Sequence, residues 1–335
     1  MNKQVTITLE AARKLAMKAM RAHNFGNFEA IATTEALLNA ERDGLPSHGL
    51  SRLPFYLEQA ATGKVDATAI PKVEIDGAVV RVDAGHGLAF SAVTVGVKAG
   101  IESARKYGLS AVSIARSHHF GVAGAPVEVA ANQGLMAMGF SNAPSAMAPW
   151  GGSRPLYGTN PIAFACPRQN AEPLLIDLSL SKVARGKVML AKKAGKLIPD
   201  GWALDVDGRP TTDPDAAIAG SMVPAGDAKG ATLALMVELL TAGLAGGHFG
   251  FQASSFFEAE GDAPNTAHLI LLFDPERFSS SFSVHIETLF EAMLDQPGVR
   301  LPGDRRYQLR REFDGLLLLP SELVANLERH ADVVQ

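Results

Sequence analysis

Between residues 72 and 178 the sequence alternates strand-like and helix-like hydrophobic periods, and this alternation restricts the chain to an α/β architecture. "KVEIDGAVVRVDA" alternates apolar and polar residues on both sides of Asp76-Gly77, a pair suited to the positive φ angles of a tight turn, so a hairpin is expected. Ala89 to Tyr107 then carries apolar residues at helical spacing. "LSAVSIARS" reads as a buried strand, Pro126 to Gln133 as a helix, and "LMAMGFSN", "PIAFAC" and "PLLIDLS" as further strands. Upstream, Thr8 is a candidate cap for a helix through about His23, and a second helix from about Phe28 to Arg42 stops at Gly44. A third, Arg52 to Ala61, leaves Ser47 and His48 in a connection. Downstream, helices are expected around Lys182 to Lys193, along "KGATLALMVELLTAGLAGG", near Val284 to Leu294 and from Ser321 to Ala331, with a strand at "HLILLFD". No repeat or low-complexity linker marks a boundary, and the helical chain ends are expected to pack as one discontinuous lobe.

Charge narrows the choice of ligand. With 31 Lys+Arg against 35 Asp+Glu the formal charge is −4, without the clustered cations that phosphate backbones require, so a small molecule is expected rather than nucleic acid. The first twenty residues have scattered charges and no continuous apolar core, so neither a signal peptide nor a membrane span is expected, and the expected location is the cytoplasm. One cysteine, Cys166, provides neither an intrachain disulfide nor a cysteine-rich zinc cage.

Common nucleotide and hydrolase motifs fail on inspection. "DAGHGLAF" has Gly85 and Gly87 at the opening spacing of G-x-G-x-x-G but Phe90 at the third position, and "SKVARGKV" lacks the first glycine and final hydroxyl of a phosphate loop. G-x-S-x-G is missing, so a hydrolase elbow has no support. His118 and His119 in "ARSHHFGVAG" would diverge on a strand, and no metal site is expected. They end a strand before a glycine-containing turn, where a ligand can meet a side chain and a helix amino terminus together; a core hydrogen-bonding role is equally open. In "GLPSHGLSR", Ser47, His48 and Arg52 fall where rigid elements meet.

Seven segments in order, "SHGLSRLPFY", "SHHFG", "PLYGTNPIAFACP", "IDLSLSKVARGKV", "PDGWALDVDGRPTTDP", "KGATLALMVELLTAGLAGG" and "LPGDRRY", resemble the type-2 malate/lactate dehydrogenase family of nicotinamide oxidoreductases. "SHHF", "MVELLTAGLAGG" and "RLPGDRRY" are most similar to its NADPH-dependent branch that reduces Δ1-piperideine-2-carboxylate and Δ1-pyrroline-2-carboxylate. The resemblance implies a non-Rossmann α/β fold with a mixed sheet and a helical lobe from both chain ends. It divides the chain into 1–116 with 300–335, and 117–299 for NADPH. It also implies a homodimer that reduces a cyclic imino acid to L-pipecolate or L-proline. The alternative is an NAD(P)-dependent 2-hydroxyacid dehydrogenase for malate, lactate or ureidoglycolate; a catalytically silent ligand-binding protein is the third reading.

The same resemblance assigns roles. His48 becomes the proton donor, oriented by Ser47, with Arg52 and Thr159 on the substrate carboxylate. His119, Phe120 and Gly121, Asn160, the run Asp177, Leu178 and Ser179, and Lys229 are expected along the cofactor. Arg300, Gly303, Asp304, Arg305 and Arg306 in "RLPGDRR" would clamp its 2′-phosphate. One position departs: Lys187 stands where the imine reductases carry a relay aspartate, and a cation there opposes an imidazolium instead of supporting it.

Overall fold

The computed structural model describes residues 3–333. Gln4–Thr8 is a strand, β1, and Thr8 Oγ1 accepts the Ala11 N–H at 3.1 Å, capping α1 (Leu9–Ala22). α2 (Asn27–Arg42) stops before Gly44, whose φ of +70° disfavours any side chain. Two 3₁₀ turns, Pro46–His48 and Leu50–Arg52, lead into α3 (Leu53–Ala61). β2 (Lys72–Asp76) and β3 (Val79–Asp83) form the expected hairpin. α4 (Ala89–Tyr107), β4 (Leu109–Ser117), α5 (Gly124–Ala131), β5 (Met136–Ser141), β6 (Ile162–Cys166) and β7 (Leu174–Leu178) follow.

α6 (Arg185–Lys193) begins later than its periodicity suggested. β8 (Ala203–Leu204), β9 (Pro210–Thr211), α7 (Pro214–Ala219) and β10 (Ser221–Met222) occupy the loop-rich passage. α8 (Ala228–Glu238) passes without interruption into a π turn, Leu239–Gly243, so the long apolar helix is wound more loosely toward its carboxyl end. β11 (Thr266–Phe273), α9 (Phe282–Leu294), α10 (Asp304–Glu312), β12 (Leu316–Pro320) and α11 (Ser321–Ala331) complete the order. Local periodicity did not reveal β1, β12 or α10. The first two pair only with each other, Gln4 opposite Pro320 through Thr8 opposite Leu316.

Among the described residues the central sheet runs β2-β3-β4-β11-β5-β6-β7, with β3 and β4 parallel and every other neighbour antiparallel. It is therefore mixed, as expected, and it carries strands from both sides of the boundary expected at residue 116. α4 and α5 cover one face through Val97, Ile101 and Val127, which meet Val112, Ile114 and Ile270. A second core joins Met20, Leu37, Leu53 and Leu57 to Leu317, Leu319 and Leu327, building the helical lobe from both chain ends. Each such buried leucine contributes about 1.5–3 kcal/mol.

This register fixes the place of the chemistry. β4, β5 and β7 run in one direction, so their carboxyl ends open on the same edge, and the 3₁₀ turns before α3 lie across it. Open α/β sheets offer ligand sites at such an edge.

Candidate active site

Ser47, His48 and Arg52 are held by short-range bonds. Arg52 Nε donates to Ser47 O at 2.7 Å and Ser51 Oγ to Pro46 O at 2.6 Å, closing the two turns on each other. Glu41, in the last turn of α2, accepts the Leu50 N–H at 2.7 Å. Its carboxylate fills the space where a Cβ on Gly49 would stand, so the backbone lies directly on Glu41. Burial pushes the Glu41 carboxyl up to about 7, the Leu50 bond opposing it.

Ser47 Oγ and His48 Nδ1 share a hydrogen bond at 3.1 Å, leaving Nε2 directed elsewhere. The His48 ring stacks on His119, centroids 5.6 Å apart and planes at 26°. His119 Nδ1 shares a 2.7 Å hydrogen bond with the Tyr56 hydroxyl, and Tyr56 lies one helical turn beyond Arg52. His48 is half-buried. Enclosure first, then the Arg52 charge, lowers its pKa to about 4; Asp177 pulls upward and Arg306 downward. Burial, joined by Arg52, holds His119 well below the ordinary histidine value.

The 254–262 loop forms the next wall. Phe256 lies 4.9 Å from the His118 ring and 5.3 Å from His119, while the Arg52 guanidinium sits 4.5 Å over the Phe257 ring. Lys64, itself buried, secures this loop by donating to the Ser255, Glu258 and Glu260 carbonyls at 2.7, 2.9 and 3.1 Å. Among the described residues Arg52 has no carboxylate partner. His118 is buried with neither ring nitrogen paired.

At the end of β7, Asp177 Oδ2 accepts the Gly124 N–H at 3.0 Å and pairs with Arg306 Nη2 at 3.0 Å. Arg306 also reaches Asp43 at 3.6 Å, and Asp43 and Glu128 together bind Arg310. The arginines of "RLPGDRR" are thus separated: Arg306 turns inward, while Arg300 and Arg305 are exposed. Gly303, at φ +97°, and Asp304, which accepts the Leu301 N–H at 3.0 Å, shape the turn that begins α10.

Asn160, at φ +34°, donates to Ala234 O at 3.0 Å and to Glu238 at 2.9 Å, while its buried Oδ1 has no partner. Thr159 O accepts the Leu180 N–H at 2.9 Å, and Ser179 Oγ bonds Ser181 Oγ at 2.8 Å; Leu178 is exposed. Gly121, at φ +74°, packs on Phe90, and Phe120 stacks on His268 at 4.4 Å. Lys229 is exposed in the first turn of α8. Lys187 is exposed in the first turn of α6, next to Gly186, where a Cβ would stand 3.9 Å from Ser47 Cβ.

Sequence reasoning missed Tyr56, Glu41, Lys64, Phe256 and Phe257. Tyr56 alone left a local signal, its four-residue spacing from Arg52 on one helix. The others reach the site through tertiary packing.

The sequence model of the malate/L-lactate dehydrogenase family matches residues 7–327. A (2R)-3-sulfolactate dehydrogenase (NADP(+)) of Chromohalobacter salexigens is 68% identical over 97% of this chain and 98% of its own. A Δ1-pyrroline-2-carboxylate/Δ1-piperideine-2-carboxylate reductase of Pseudomonas aeruginosa is 37% identical over 97% of this chain and all of its own. The crystal structure of Δ1-piperideine-2-carboxylate reductase from Pseudomonas syringae superposes with a TM-score of 0.91 at 36% identity, covering 97% of this chain and 99% of that one. The expected reduction of cyclic ketimine carboxylates is corrected by these values: the 68% identical relative is named for a hydroxy acid, and the imine reductases stand much further off. The chain also departs at one position of the site: residue 187 is a lysine where the imine reductases were expected to carry a supporting carboxylate.

Proposed function

The chain belongs to the malate/L-lactate dehydrogenase family, and on that premise we propose that it is an NADP-dependent 2-hydroxy acid dehydrogenase acting on (2R)-3-sulfolactate. The observation that carries the reaction class is the placement of the His48 ring, bonded to Ser47 at 3.1 Å, stacked on His119 and flanked by Arg52, with burial and that charge lowering its pKa. Oxidising a secondary alcohol requires a base for the hydroxyl proton and an acceptor for hydride. NADP, when bound, supplies the acceptor. Three features of the chain suit that cofactor. Gly124 leaves no room for a side chain between Arg306 and Asp177 at the start of α5, and the buried Arg306 Nη1 and Asn160 Oδ1 lack partners. The 119–124 turn, the end of β7, Lys229 and the 300–306 turn frame it in this reading.

Arg52 holds the substrate carboxylate through parallel hydrogen bonds, with Thr159 beside it. With Nδ1–H turned to Ser47, His48 Nε2 takes the hydroxyl proton as the C2 hydrogen leaves with its bonding electron pair, giving the 2-oxo acid. His119, fixed by Tyr56, keeps the His48 ring in plane for that transfer. Incubating the purified protein with NADP⁺ and (2R)-3-sulfolactate, malate or lactate is expected to give NADPH absorbance, largest with sulfolactate. Turnover of none of these acids would sink the proposal.

A homodimer belongs to the same reading. It is supported by an apolar groove of about 690 Å³ along α2, α4 and α5, where Phe28, Ile31 and Val129 are exposed. A cytoplasmic address is also part of it and accords with the single, buried Cys166.

A further inference from the structure

A substrate such as 3-sulfolactate carries two permanent anions, one on each side of the reacting carbon. Arg52 provides for one. The other cation whose charge bears on His48, Arg306, is already paired with Asp177 and Asp43. A further cation, Lys187, follows Gly186 on the helix that packs beside Ser47. Gly186 brings the first turn of α6 against Ser47, close enough that a Cβ would meet the Ser47 side chain at 3.9 Å. That turn contains Arg185 and Lys187 and no acidic residue, although the helix dipole disfavours cations there. Arg185 turns away, its guanidinium donating to the Ser145 and Ile218 carbonyls at 3.3 and 3.5 Å. Lys187 is exposed and, among the described residues, has no ion-pair partner.

We propose that Lys187 is the specificity-determining residue that binds the second anionic group of the substrate, the sulfonate on C3, while Arg52 binds the carboxylate. This rests on the 2-hydroxy acid reading above. The chemistry favours lysine: a sulfonate spreads its charge over three oxygens in a tripod and has no planar edge, so a compact ammonium on a flexible stem serves it better than a fixed fork. The reacting carbon lies against His48, and the sulfonate projects two bonds beyond it, toward the α6 side of Ser47. Without a bound dianion the ammonium remains solvated, consistent with its exposure. A monoanionic acid such as lactate presents only a methyl group to Lys187 and gains nothing from it.

The test compares wild type, Lys187→Met and Lys187→Arg with NADP⁺ and either (2R)-3-sulfolactate or lactate. Lys187→Met is expected to raise KM for sulfolactate about tenfold or more and leave kcat within about twofold, because a contact to a remote group is made equally before and during hydride transfer. KM for lactate and for NADP⁺ stays unchanged, and Lys187→Arg recovers most of the sulfolactate KM. Equal changes for both acids, or no change for either, with wild type active on sulfolactate, would overturn the Lys187 assignment and leave the dehydrogenase reading standing. Wild type without turnover on either acid overturns both. Unchanged thermal unfolding of the variants shows that the exposed position leaves the fold intact.

Discussion

Replacing Arg52 separates the two influences that keep His48 neutral. Burial of the ring acts first and the guanidinium second, together placing its pKa at about 4. Arg52→Gln removes the charge while leaving much of the packing on Phe257, so the His48 ring proton, followed by NMR, is expected to titrate roughly one pH unit higher. Arg52→Lys keeps the charge and leaves the midpoint near 4. A midpoint that Arg52→Gln fails to move would assign the whole effect to burial. Ser47, His48 and Arg52 were legible in the sequence because three polar side chains crowd one short connection between helices. Phe256 and Phe257 were not, since they meet these residues only after β11 and the loop before it have docked, and Lys64 secures that loop through backbone carbonyls of unrelated sequence.

The two 3₁₀ turns behave as one element only because α2 supports them from behind. Glu41 offers Leu50 its acceptor, and Gly49 admits that carboxylate against the backbone. Glu41→Ala leaves a buried N–H unpaired and is expected to destabilise the protein by about 1–3 kcal/mol in denaturant unfolding, with a matching loss of kcat as His48 loses its seat. Glu41→Gln retains the acceptor and most of both. The pH dependence has a definite sign: the folded carboxyl, near 7, lies above its ordinary 4.5, so the native state binds the extra proton between those values. Its contribution is full below about 4.5 and is lost as pH rises through 7, and Glu41→Gln removes that loss. Most helices and central strands could be read from periodicity at this scale. The start of α5 could not, because Gly124 is selected by the crowding of Arg306 and Asp177 rather than by a local cap.

At the scale of the molecule, the apolar groove along α2, α4 and α5 is the face on which the proposed dimer depends. Ile31→Glu places a charge among Phe28, Val129 and Phe90, and is expected to halve the mass seen by sedimentation while unfolding stays cooperative. Wild type already at monomer mass would dispose of the assembly. The α/β class followed from alternating strand and helix patterns, the mixed sheet from the family resemblance, and the packing of the helical chain ends was expected; the strands that close that lobe were not legible, because β1 and β12 are five-residue segments whose partner lies at the opposite end of the sequence. That closure governs how the chain matures during synthesis. β1 precedes the central sheet in the chain and its partner β12 follows it; the apolar stripe of α1 likewise waits for α11, whose C-cap Asp332 pairs with Lys18 at 2.6 Å. Until β12 and α11 have been made, β1 and α1 therefore present an unpaired strand edge and an uncovered helix face, the surfaces that folding chaperones shield.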